Sequence, residues 1–383
     1  MEKLMFVDYE TLRVIWWLLL GFIFIGFAVM GGIDLGVGTL LPIVAHNDIE
    51  KRVLLNSVGP TWESNQVWFI LGGGATFAAW PYVYSVAFST MYIALFLVLV
   101  ALILRPVGFD FRSKIDNVLW RNVWDGALFC GGLIPTIVFG VAVGNLLQGI
   151  SFSFNEFMYL DNKVRFLDLF SPFTLLCGGL SCAMIVVQGA TFLSMKTKSK
   201  VYERSIRISC IVPLITMLLF FLGGVMINKM PGYVISHING FDLSSNPFIK
   251  KVIVQDAGWL LNYYKYKWLL IAPILGFCGS LFVVIFSLLR INFAMFISSS
   301  LSIIGIISTV GFSMFPFILP SSLNYDASLT VWDASSSYLS LFIMLLSVII
   351  FVPIILVYIS WAYKIMFGRV DEQYIKQNKD NLY

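Results

Sequence analysis

From Leu12 to Leu41 the chain reads LRVIWWLLLGFIFIGFAVMGGIDLGVGTLL, and Arg13 and Asp34 are the only charges in it. A bilayer core of roughly 30 Å needs about 20 apolar residues as helix. The stretch is therefore long enough to cross a membrane, and it is too long for the apolar part of a cleaved signal peptide. Working outward, similar stretches recur, and the expected spans cover about 12–41, 60–80, 82–106, 120–146, 172–196, 205–229, 267–290, 293–318 and 337–366. Trp80-Pro81 separates the second from the third, and little more than Arg290 separates the seventh from the eighth, so both pairs are expected as tight helical hairpins.

Composition supports the same class. Of 383 residues 59% are hydrophobic and only 12% charged, and the mean hydropathy is +0.87. A surface that faces water carries about a quarter charged residues, so most of this surface is expected to face lipid. The expected fold is all-α and integral to the membrane: one polytopic domain over 1–370, then a polar tail over 371–383. With a net charge of +4 and scattered cations, nucleic acid is not an expected partner.

Cys130, Cys177, Cys182, Cys210 and Cys278 all fall in apolar runs without a C-x-x-C pair and read as small buried hydrophobes. His46 and His237, the two histidines, lie in polar connections. No metal site and no catalytic residue is expected in this chain, and any redox centre is expected in a partner, because haem ligation inside a bundle needs imidazole or similar donors on the helices.

Lys and Arg set the orientation. Sixteen of the 25 collect at one end, among them Lys51, Arg112, Lys198, Arg204 and Arg290, and nine at the other. This places the N-terminus outside and the C-terminus in the cytoplasm. Asp34, Glu63, Arg105 and Asp125 then fall toward the same inner leaflet. Charges at membrane depth are costly, face the bundle interior and mark ion or proton routes. Glu63, with Gln66 one turn on and on the same face, is the candidate proton-route carboxylate; the competing reading is an acid that complements the helix N-terminus. Asp34 is expected to pair with Arg105, against the alternative that Arg105 reaches out to the headgroups. Asp125 reads as an ion-pair residue or as an early-turn acid.

Gly32 and Gly36 form a small-xxx-small pair for close helix packing, and Gly72-Gly73-Gly74 suggests another close contact. Trp16, Trp17, Trp80, Trp120 and Trp124 read as interfacial belt residues. Asn145, Gln148 and Gln188 show no assignable pattern.

Several motifs carry a family resemblance. They are Phe6-Val7-Asp8-Tyr9-Glu10-Thr11-Leu12-Arg13 with Trp16-Trp17, Gly32-Ile33-Asp34-Leu35-Gly36-Val37-Gly38, Asn65-Gln66-Val67-Trp68, Phe77-Ala78-Ala79-Trp80-Pro81, Arg105-Pro106-Val107-Gly108-Phe109-Asp110, Gly144-Asn145-Leu146-Leu147-Gln148-Gly149, Gln188-Gly189-Ala190-Thr191, Phe315-Pro316-Phe317, Pro320-Ser321-Ser322 and Leu329-Thr330-Val331-Trp332-Asp333-Ala334. In order and over nearly the whole chain, they resemble subunit II, the small haem-free subunit, of cytochrome bd-type quinol (ubiquinol) oxidases.

The resemblance implies nine transmembrane helices arranged as two four-helix bundles plus one peripheral helix. It implies a heterodimer with a large subunit I that ligates two b-type haems and one d-type haem. The implied reaction oxidises quinol and reduces dioxygen to water, taking protons from the cytoplasm, in a bacterial inner membrane. The family also admits a bound quinone and small single-helix accessory subunits, and it leaves ubiquinol and menaquinol as alternatives. Glu63 matches a proton-route carboxylate, commonly Asp in the family, so it reaches one methylene further. Asp34 and Arg105 match charges needed for haem-site assembly, although Gly31 stands where the family commonly has a second acid. Trp68 matches a position near an oxygen path. The rival class is an ion-coupled secondary transporter, which would show broken helices near mid-membrane and inverted repeats.

Overall fold

The computed structural model describes residues 7–238, 240, 244–365, 368–371 and 375. Asp8 starts the first helix by accepting a hydrogen bond from the Thr11 amide at 3.0 Å, which satisfies one of the free N–H groups of a helix start. From there α1 (Tyr9–Gly26) runs through a π-helical segment (Phe27–Gly31) into α2 (Gly32–Val44). A short helix that the apolar pattern does not predict, α3 (Asp48–Val58), leads into α4 (Trp62–Ala79).

Pro81 opens α5 (Pro81–Thr90) at its first position, where a missing amide hydrogen costs nothing. The expected third span is divided, since α5 gives way to α6 (Tyr92–Phe111) at Met91. The remaining long helices are α7 (Val118–Gln148), α8 (Pro172–Lys196), α9 (Ser199–Lys229), α11 (Ile271–Leu289), α12 (Asn292–Met314) and α13 (Tyr338–Ile365), with a short α10 (Leu261–Lys265) before α11. The hairpin expected at Arg290 is made by that residue in the left-handed region at φ 56°. Arg290 also forms a two-pronged pair with Glu203 at 2.9 and 3.1 Å.

Eight helices among the described residues are long and apolar enough to cross a membrane. The expected span at 60–80 forms α4 but is not among them, because Glu63, Ser64, Asn65 and Gln66 crowd its first two turns. The two longer connections carry strands that no sequence pattern announced: the hairpin β1 (Phe152–Phe154) with β2 (Leu160–Asn162), and β3 (Pro231–Ile238) with β4 (Lys250–Asp256), both antiparallel. A further small pair joins β5 (Phe317–Leu319) to β6 (Leu329–Thr330). Strand pairing here satisfies backbone groups where the chain leaves the helices. The tail expected over 371–383 lies largely outside the described residues; within it Asp371 meets Lys198 at 3.3 Å.

Packing joins α8, α9, α11 and α12 in a closed ring, while α2 lies against both α7 and α8, α7 against α6, and α1 against α4. The long α13 rests on α1 and α4 and buries only Leu341 and Ile359. Glycine makes the central crossings possible. A Cβ on Gly36 would overlap the Ile185 carbonyl and lie 2.9 Å from the Gly189 nitrogen, and one on Gly132 would lie 2.6 Å from the Thr39 nitrogen. The small-xxx-small expectation for Gly32 and Gly36 is therefore met on α8, since Gly32 faces Ile185 as well.

Of the three glycines at 72–74, only Gly72 touches another helix, through Phe24, and Gly73 and Gly74 face open space. Trp16 and Trp80 are core residues, 2% and 0% exposed, whose indole nitrogens donate to Leu341 and Val331 carbonyls. Four cysteines are half-buried and Cys278 is exposed; an apolar run in a bilayer-facing helix places a residue against lipid as readily as in the core.

Candidate functional site

The charged residues that the sequence singled out sit on α2, α4, α6 and α7: Asp34 and Glu63 in the first turns of α2 and α4, Arg105 in the second half of α6 and Asp125 in the first half of α7. Asp34 is 2% exposed, and its Oδ2 accepts a hydrogen bond from Asn65 Nδ2 at 3.0 Å. Asn65 Oδ1 in turn accepts from the Tyr363 hydroxyl at 2.9 Å. One asparagine thus links α2, α4 and α13, which explains how so exposed a helix as α13 is held. Asn65 lies within one of the family motifs but carries no charge to mark it out, and Tyr363 gave no signal because an aromatic near a span end is ordinary.

Arg105 is buried, at 3% exposure, so it does not reach the headgroups. Its stem fits because α7 has Gly131 opposite, where a Cβ would lie 2.8 Å from the Ala101 carbonyl oxygen. Asp34 and Arg105 interact electrostatically, but the expected direct pair is not formed: no ion pair within 4.0 Å joins them. The Asn65 amide bonds one of the two Asp34 carboxylate oxygens, Oδ2. Asp34 Oδ1 and Arg105 Nη2 remain buried without a hydrogen bond within the chain.

Asp125 is an ion-pair residue with other partners. It meets Lys51 Nζ at 2.8 Å and Arg112 Nε at 2.5 Å, and Arg112 also holds Asp48 at 2.8 Å. The early-turn reading fails because α7 begins at Val118, two turns before Asp125. A companion clamp joins the start of α3 to α9. There Glu50 accepts from Arg204 Nη1 and the His46 amide, both at 2.7 Å. Burial pushes the Glu50 carboxyl up, but the His46 amide and Arg204 together hold it below its ordinary value. The clamp is therefore intact above the usual glutamate range and is lost as pH falls through the lowered value.

Glu63 stands exposed in the first turn of α4. Around α4 two stripes oppose each other: Asn65, Trp68, Gly72 and Ala79 are buried, while Glu63, Ile70, Gly74 and Phe77 are exposed. Gln66 is half-buried with its Nε2 enclosed and unbonded, and no hydrogen bond joins it to Glu63. Trp68 packs its ring on Gly26 and edge-on to Phe22 at 5.7 Å, and its Nε1 is likewise unbonded. Because Asn65 marks the depth of Asp34, Glu63 lies two residues, about 3 Å of helix rise, nearer the rim.

Gln188, unassigned from sequence, is 0% exposed, and its side chain bonds two other elements, the π segment and α12. The only clue available was an amide in an apolar run, which also describes many helix-packing residues. His46 and His237 are both exposed outside the spans. This donor set does not fit a haem held by the chain.

The geometry defines a polytopic helical membrane protein with a carboxylate and a guanidinium buried between helices and a second carboxylate at the rim. Residues 12–366 match the family of cytochrome bd terminal oxidase subunit II. Over 378 residues the chain is 46% identical to a probable cytochrome oxidase subunit 2 of Haemophilus influenzae and 44% identical to subunit 2 of the cytochrome bd-I ubiquinol oxidase of Escherichia coli K12, covering 98% of this chain and 100% of each relative. It is 29% identical to the cytochrome bd ubiquinol oxidase subunit 2 of Bacillus subtilis, over 95% of this chain and 98% of the relative. The fold matches a chain of the bd oxidase of Geobacillus thermodenitrificans with a TM-score of 0.67 at 16% identity, over 93% of this chain and 98% of that one. The chain belongs to the cytochrome bd terminal oxidase subunit II family. That membership sets aside the secondary-transporter reading.

Proposed function

We propose that, within a terminal quinol oxidase that oxidises quinol and reduces dioxygen, this chain brings protons in from the cytoplasm and keeps the haem-bearing partner assembled. The orientation is N-terminus outside and C-terminus inside a bacterial inner membrane, with α4 completing nine spans in two four-helix bundles and α13 at the periphery, all within one domain. Subunit I carries the two b-type haems and the d-type haem and covers the exposed stripe of α4; quinone and single-helix accessory subunits complete the assembly.

The observation that carries this reading is the arrangement around α4. Glu63 is exposed at the rim, and behind it Gln66 Nε2, Trp68 Nε1, Asp34 Oδ1 and Arg105 Nη2 are enclosed without hydrogen bonds within the chain. Enclosed polar atoms cost on the order of 1–3 kcal/mol each when unbonded, so they favour partners from outside the chain. Glu63 takes a proton at its carboxylate and releases it inward, and the Gln66 amide orients the next acceptor. Asp34, with one oxygen committed to Asn65 and one open, and Arg105 balance charge behind the route. Asp125 secures α7 to α3 and Arg112, and Trp68 borders the oxygen path.

Glu63→Gln removes the transferable proton while keeping shape. Quinol-dependent oxygen uptake by the purified complex is expected to fall at least tenfold, since a positioned acid or base is worth about 10²–10⁴-fold, with the haem spectrum unchanged. Uptake at the parent rate would remove Glu63 from the route.

A further inference from the structure

Gln188 uses both ends of its amide. Nε2 donates to the Val29 carbonyl at 3.1 Å and to Ser300 Oγ at 3.0 Å, and Oε1 accepts from Ser299 Oγ at 2.7 Å. Val29 lies inside the π segment Phe27–Gly31, and Ser299 and Ser300 lie on α12. The amide therefore ties the π segment to the ring of α8, α9, α11 and α12. Its reach is set by the backbone beside it, because Gly189 lies against Gly36, where a Cβ on Gly189 would sit 2.6 Å from the Gly36 carbonyl carbon.

A π segment holds one residue more per turn than the α-helix around it. Losing it would turn α2 relative to α1 by roughly one residue, about 100° of helix rotation at 3.6 residues per turn. Asp34 is the third residue after the segment. With the extra residue in place its carboxylate meets Asn65 at 3.0 Å.

We propose that Gln188 is a positioning residue for Asp34: by holding the Val29 carbonyl it keeps the π segment in place and so sets the direction of the Asp34 carboxylate. This rests on the reading that Asp34 serves the oxidase reaction. Gln188 touches no reacting group and acts through the backbone of α2.

The test is a double-variant cycle on the assembled complex, with oxygen uptake per haem and the half-life of the haem spectrum at raised temperature as readouts. Gln188→Met fills the same volume and cannot donate. It is expected to lower uptake about tenfold, because misplacing a group by about 1 Å can cost on the order of 10²-fold. Asp34→Asn alone should also lower uptake, and the double variant should fall less than about twofold further, the non-additivity of residues that act through one another. Parent uptake in Gln188→Met, or reductions that multiply in the double variant, would overturn the proposal, and in the second case an equal shortening of half-life in both backgrounds would mark a merely structural glutamine. Parent uptake in Asp34→Asn would overturn it differently, by removing Asp34 from the reaction whatever Gln188 does. If Gln188→Met does not assemble, Gln188→Glu, which keeps length and shape, runs the same cycle with the same outcomes.

Discussion

Asp333→Ala is expected to destabilise the protein by about 3–5 kcal/mol, the usual cost of leaving one member of a buried ion pair alone. Lys250 Nζ and Asp333 Oδ2 are 2.6 Å apart, and both side chains are 0% exposed. Asp333 also accepts from the Thr330 amide at 2.8 Å, and Lys250 donates to the Pro247 carbonyl at 3.0 Å. The pair therefore fastens the β3–β4 connection to the turn that leads from β6 into α13. Removing the carboxylate leaves a fully buried ammonium without its counter-charge. The half-life of the purified complex at raised temperature, read from its haem absorbance, should shorten strongly. Lys250→Met combined with Asp333→Ala should restore most of it, because replacing both partners leaves no bare charge. An unchanged half-life in the single variant would show that the pair contributes nothing to stability.

Gly36→Val should prevent accumulation of the complex. Its Cβ would overlap the Ile185 carbonyl oxygen and sit 3.0 Å from the Gly189 Cα, and both are backbone atoms that can yield only if α2 and α8 separate. Overpacking of a tight contact costs about 1–3 kcal/mol where side chains can adjust, and here they cannot. Because the contact adjoins Gln188 and lies half a turn beyond Asp34, separation would also disperse the candidate site. Gly21→Val is the matched control: a Cβ there meets nothing within 4 Å, and membranes carrying it should show the parent haem spectrum. Comparable haem levels in both variants would refute the close-packing account.

Much of this protein was legible from residue order alone. Lipid tolerates only backbones that satisfy their own hydrogen bonds, so a run such as Leu12–Leu41 has one outcome, a helix. The tight hairpins at Pro81 and Arg290 and the grouping of Asp34, Glu63, Arg105 and Asp125 toward one end come from the lengths of such runs, and the ordered motifs carried the family. What residue order does not state is which way a side chain turns once a helix departs from regular winding. The π segment at Phe27–Gly31, the break at Met91 and the start of α7 at Val118 each shift azimuth or depth by a residue or more.

For that reason Asp34 bonds Asn65 rather than Arg105, Asp125 bonds Arg112 and Lys51, and Glu63 faces outward while Asn65, two residues on, faces in. Partners such as Tyr363 and Gln188 come from spans far away in sequence from the residues they touch, Asn65 and Val29. Sequence by itself determined most of the long apolar helices and the family, because these depend on the length of apolar runs and on the order of the motifs. The tertiary structure alone decided which polar atoms meet, because a hydrogen bond depends on distances of a few tenths of an ångström that only the packed helices set.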